Sequence, residues 1–197
     1  MVSIIELIIV FVISIGANMV PFAGPSNLLI PTWFPNIIVG ADIPTLVLVG
    51  VLVALGAALA KGSHYMITFF VSGKLSQKRR ERLDKDRSKI KRWAFLLLFF
   101  AAATPIPDEP VVIPLGLLKY NPVKFTLAYF TGKLSIAIIG AFLGELSYQF
   151  LGGYLGQIVL VIISVVLTIA ITVFLLKVDL SKIEEQTLKK LGWSKDS

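Results

Sequence analysis

From Leu146 to Leu176 the chain runs for 31 residues without an Asp, Glu, Lys, Arg or His. No soluble fold of this size hides such a run. Within it, Gly156–Leu176 is long enough, at about 1.5 Å per residue, to cross a hydrocarbon core of about 30 Å. Composition agrees. Of 197 residues 56% are hydrophobic and 16% charged, against about 25% charged in a soluble domain. Mean hydropathy is +0.83. Disorder and a soluble enzyme are excluded, and with no cysteine there is no disulfide scaffold. The length allows one domain.

The net charge of +7 is concentrated rather than spread. Ten of the nineteen Lys/Arg lie in Lys74–Arg92, against three acids. In a membrane protein this is first a topology signal, placing the loop in the cytoplasm, with acidic lipid headgroups as a secondary partner. The loop has no interleaved aromatic residue, so no nucleic-acid partner is expected. Met1–Val20 carries Glu6 and lacks the basic start of a signal peptide. It reads as an uncleaved first membrane helix with Glu6 near the interface. Trp33, Trp93 and Trp193 fall where segments meet the headgroup region.

All ten prolines fall in two groups of five, Pro21, Pro25, Pro31, Pro35 and Pro44, then Pro105, Pro107, Pro110, Pro114 and Pro122. The cores Gly24–Pro31 and Pro107–Pro114 align without a gap, and each is followed by a long glycine-bearing apolar run. Interior prolines remove backbone donors and break helices. In lipid, broken backbone survives only when buried in protein or lining a wet cavity. Each group therefore reads as a re-entrant hairpin, the alternative being proline-kinked spanning helices. Ala94–Ala103 is about ten residues, half of what a span needs.

The expected fold is an all-α membrane protein, an inverted repeat of re-entrant hairpin plus transmembrane helix with flanking N- and C-terminal helices. A single membrane domain covers 1–178. It comprises repeat 1 (21–73), the basic loop (74–92), repeat 2 (93–150) and a last transmembrane helix (156–177), before a cytoplasmic tail (179–197). The hairpins enter from opposite faces and meet near the midplane of a multi-pass cell-membrane protein.

Over Pro21–Phe150 the chain resembles the DedA / VTT-domain superfamily, also called SNARE-associated Golgi proteins. In the first repeat the resemblance is carried by Pro21, Pro25-Ser26-Asn27, Gly50, Gly56 and Tyr65. In the second it is carried by Phe100, Thr104, Pro107, Pro110 and the turn Pro114-Leu115-Gly116-Leu117. Thr104 and Pro110 stand where the bacterial pattern has arginines, and Asn27 where it has a glutamate. The resemblance implies movement of phospholipids or polyprenyl phosphates between leaflets, with proton coupling in some members.

Asp108 and Glu109 lie between the helix breakers of the second hairpin. Carboxylates inside a membrane suggest function, here as proton acceptors or cation ligands. The alternative is capping of the helix that starts near Val111. Lys133 lies about nine residues, or roughly 14 Å, into its helix. It needs a partner, which is one of those acids or a lipid phosphate. Ser26 and Asn27 either satisfy the first hairpin's broken backbone or touch a headgroup. Lys61, His64 and Tyr65 share a helical face near the basic loop and read as interfacial anchors, the alternative being a proton relay. A lone His makes no metal site, and no hydrolase triad or nucleotide fingerprint is present. The expected activity is lipid translocation through a midplane polar path, with membrane lipids and protons as partners and no catalytic chemistry or cofactor. The alternatives are a proton- or cation-coupled solute transporter and a non-transporting membrane scaffold.

Overall fold

A computed structural model describes residues 2–21, 26–74 and 87–152. It also describes 155–156, 158–163, 165–166 and 169–170. The described residues form helices and no strand: α1 (Ile4–Met19), α2 (Pro35–Ile38), α3 (Ile43–Val71), α4 (Arg87–Ala103), α5 (Glu109–Leu117) and α6 (Pro122–Leu151). A 3-10 turn at Ile30–Trp33 precedes α2.

Local chemistry sets the helix starts. Ser3 and Glu6 form a reciprocal capping box on α1, in which the Glu6 carboxylate accepts from the Ser3 N–H at 2.9 Å. The long helices begin alike. Asp42 accepts from the Thr45 N–H at 3.2 Å and Asn121 from the Lys124 N–H at 3.0 Å. Pro44 and Pro122 sit in the first turns, where a missing N–H costs nothing. These two prolines start helices rather than break them.

Helices α3 (29 residues) and α6 (30 residues) form the centre, each about 43–45 Å long and sufficient to cross a bilayer. They run antiparallel. Gly50 lies beside Ile138, whereas Tyr65, farther along α3, stacks on Phe125 with ring centroids 4.2 Å apart. Helix α1 runs parallel to α3, with the Ser14 hydroxyl on the Val53 carbonyl at 2.7 Å and His64 Nε2 3.1 Å from the Met19 carbonyl. Helix α4 runs parallel to α6. Its Ala94 and Leu98 join the core around Tyr120 and Phe125, and its Phe99 and Ala102 reach Gly132.

Between these pairs the chain returns, and it returns against the other half of the molecule. Segment 28–38 lies along α6, with the Leu28 carbonyl at Gly140 and the Thr32 carbonyl accepting from Tyr148 Oη at 3.4 Å. Helix α5 lies along α3, with Glu109 at Lys61 and Gly116 against Thr68. The order outgoing helix, return arm, long helix thus occurs twice. The first outgoing arm is α1 itself. Val2 packs beside the cluster that includes Ile37, Ile38 and Leu46, and α1 lies chiefly along α3.

Polarity is inverted relative to a soluble protein. Large apolar side chains of α1 (Ile4, Ile5, Ile8, Val12) and of the long helices (Leu59, Ile67, Leu127, Ile139) are exposed. Asp108, Glu109, Lys61 and Lys133 are all buried. A continuous apolar exterior of this kind fits lipid, not water. Trp33 and Trp93 are also exposed. The described parts of 155–170 are helical, and Gly156 lies against the Ser147 carbonyl. The basic stretch 75–86, Pro25, Trp193 and the expected tail 179–197 lie outside the described residues, as does the end of the expected helix 156–177.

Candidate functional site

Four charged side chains meet where α3, α5 and α6 converge. Lys61 comes from α3, Asp108 and Glu109 from the start of α5, and Lys133 from α6. Each is no more than 4% exposed. Lys133 Nζ lies 2.8 Å from Asp108 Oδ2. Lys61 Nζ lies 3.4 Å from Asp108 Oδ1 and donates to Glu109 Oε1. Tyr129, fully buried one turn before Lys133, donates its hydroxyl to Asp108 Oδ2 at 2.6 Å. Its ring also lies 5.3 Å from the Lys133 ammonium, within the reach of a cation–π contact.

Two positive and two negative charges make the cluster formally neutral. Lys61 is 10 residues before the end of α3 and Lys133 is 11 residues after the start of α6. At about 1.5 Å per residue both lie roughly 15–17 Å from the same end of the pair, well inside a 30 Å core. Toward that end the cluster is closed by stacked aromatic rings. Tyr65, Phe125 and Tyr129 follow one another, and the Tyr65 hydroxyl donates to the Tyr120 carbonyl.

The tip of the first loop is polar but uncharged. Asn18 and Asn27 are both buried, and each amide donates to the other's carbonyl oxygen at 3.0 Å. Asn18 also donates to the Ser14 carbonyl at 2.8 Å. Ser26 is half-buried and its hydroxyl accepts from the Leu28 N–H at 3.2 Å. This satisfies broken backbone at the turn, one of the two roles expected for these residues.

Among the prolines singled out as helix breakers, Pro31 lies in the 3-10 turn and Pro114 inside α5. Pro110 is in the first turn of α5, and Pro105 and Pro107 fall in the connection between α4 and α5. Pro21 is an exposed turn residue after α1. Asp108 is the N-cap residue of α5, but its side chain makes no capping bond and points to the lysines instead.

Lys61 differs from the sequence reading. It is not an interfacial anchor but bridges both carboxylates of the cluster. The depth argument applied to Lys133 applies equally to Lys61, and would have found it. Tyr65 is likewise core rather than interface, at 1% exposed. Tyr129 and Asn18 were not singled out. Their signals were the i, i+4 spacings Tyr129–Lys133 and Ser14–Asn18. Glu145 accepts from the Gln149 amide one turn on. Among the described residues no group of acids and histidine could hold a metal ion.

No curated protein and no solved structure matches this chain. One family model does: that of the VTT domain covers residues 30–146, from the first return arm through α6. More than half of the chain is matched, including all four charged residues of the cluster. The chain therefore belongs to the VTT-domain family, the domain of the DedA and SNARE-associated Golgi membrane proteins.

Proposed function

We propose that the protein is a lipid translocator of the scramblase or flippase type, passing phospholipid or polyprenyl-phosphate headgroups between leaflets. Acyl or prenyl tails stay in the surrounding lipid. The observation that supports this is the buried cluster of Lys61, Asp108, Glu109 and Lys133 where the broken second segment meets the two long helices, inside an apolar exterior. One charge at a helix centre costs about 2.5–3.5 kcal/mol by insertion scales. Four unpaired charges would rival the entire stability of a small domain, about 5–15 kcal/mol. Pairing offsets that cost, yet apolar residues in their place would avoid it altogether. Retained charge at this depth is what a polar path requires.

In this reading each out-and-back unit is a re-entrant hairpin followed by a transmembrane helix, and the two units form an inverted repeat. The antiparallel course of α3 and α6 supports that arrangement. The basic loop 74–92 and the C-terminus lie in the cytoplasm of a multi-pass cell-membrane protein. Protons are the coupling partner and no catalytic step is involved.

The test is headgroup accessibility to dithionite in proteoliposomes, with and without a pH gradient. The double variant Asp108→Asn, Glu109→Gln, compared in preparations matched for folded protein by gel filtration in detergent, is expected to abolish translocation or to uncouple it from pH. Wild-type rate and pH dependence in that variant would make the cluster a structural pin, whereas a wild-type protein that moves no lipid and no solute would be a scaffold. Solute uptake driven by a proton gradient without lipid movement would favour a coupled solute transporter.

A further inference from the structure

The two lysines of the cluster are held unequally. Lys61 spans both acids, contacting Asp108 Oδ1 and Glu109 Oε1. It thereby fastens α5 to α3 through two carboxylates. Among the described residues Lys133 has one ion-pair partner, Asp108 Oδ2, and it shares that oxygen with the Tyr129 hydroxyl. An oxygen already accepting a short hydrogen bond has less electron density to offer a second donor. The ring face of Tyr129 meanwhile gives the Lys133 ammonium a second resting place on its own helix.

We infer that Tyr129 is a positioning residue that makes Lys133 the exchangeable cation of the site, and that Lys133 selects phosphate-bearing lipid headgroups over phosphate-free ones. Lys61 is the fixed strap. An incoming phosphate oxygen replaces Asp108 Oδ2 as the partner of Lys133, while Tyr129 and Lys61 keep Asp108 satisfied from either side. The exchange leaves no buried carboxylate without a donor, which is the costly outcome of removing a partner from an ion pair. The same exchange at Lys61 would loosen two acids at once. This inference rests on the lipid-translocation reading and adds headgroup selectivity to it.

The experiment compares translocation of labelled phosphatidylglycerol, which carries a phosphate, with a labelled galactosyl diacylglycerol, which carries none, in otherwise identical vesicles. The readout is the ratio of the two rates, which a merely structural defect leaves unchanged. Lys133→Gln is expected to lower the ratio about tenfold, the scale of one charge-assisted hydrogen bond, and Lys133→Arg to restore most of it. Tyr129→Phe keeps the ring and is expected to lower the ratio about threefold by strengthening the hold of Asp108 on Lys133. Lys61→Met is expected to slow both lipids alike. The inference is overturned if Lys133→Gln slows both lipids equally, if Tyr129→Phe leaves the ratio at the wild-type value, or if the Lys61 variant carries the selectivity. Competition by millimolar inorganic phosphate would overturn the lipid as the source of the anion. A wild-type protein that moves neither lipid would instead remove the translocation reading itself.

Discussion

Asp108 is the residue on which the interior depends, because three donors converge on its two oxygens. Removing one of them leaves charge in a medium that cannot solvate it. Lys61→Met removes a buried cation that contacts two carboxylates and is expected to cost about 3–5 kcal/mol, the range for breaking a buried pair. The thermal midpoint in detergent checks this, and Lys61→Arg should retain most of the lost stability. The acids and Lys133 were legible in the sequence because charges inside apolar runs are conspicuous. Lys61 was equally conspicuous but was read by its closeness to the basic loop rather than by its distance from the helix end. Tyr129 was illegible for a different reason. A tyrosine in an apolar helix has the same appearance whether its hydroxyl meets lipid headgroups or a buried carboxylate, and only the fold of α5 decides which.

Elements in this protein approach one another through glycine. A Cβ on Gly140 would overlap the Leu28 carbonyl oxygen, and one on Gly132 would sit 2.5 Å from the Phe99 carbonyl oxygen. Both obstacles are backbone, which cannot turn aside. Gly140→Ala should therefore cost about 1–3 kcal/mol, the usual penalty for overpacking, and Gly132→Ala a similar amount, measured by thermal unfolding. The cap of α3 supplies a pH-dependent contribution. Hydrogen bonds from the Thr45 hydroxyl and backbone N–H hold the Asp42 carboxyl below its ordinary value of 3.8. A depressed folded value stabilises above the unfolded one, and that stability is lost as pH falls through the folded value. Wild type should thus lose thermal midpoint below about pH 4, and Asp42→Asn, which can still cap, should lose less. At this scale the two long glycine-bearing apolar runs were legible as helices, each starting beside a proline, Pro44 and Pro122. Helix α1 looks like a complete membrane helix in sequence, though at 16 residues it is short for one, and the course of the return arm along α6 is packing that composition does not encode.

At the scale of the whole molecule the two units cannot be cut apart, since each return arm lies along the long helix of the other. Their directions make a topological prediction. Single cysteines at Val2 and Gly40 should react with an impermeant maleimide from one face of the membrane, and cysteines at Gly73 and Lys119 from the opposite face. Absence of native cysteine makes the assay direct. Labelling of Val2 and Gly40 from different faces would contradict the hairpin. The crossed arms also set a schedule for biosynthesis. The Thr32 carbonyl waits for Tyr148, 116 residues later in the chain. At about 5–20 residues per second the ribosome needs on the order of ten seconds to supply it. During that interval the first return arm, with its turns and freed carbonyls, is in or beside the membrane without the helix it will lie on. The nascent first half therefore requires a sheltered place at the insertion machinery until α6 emerges, and a slowed or stalled chain is exposed to degradation there first.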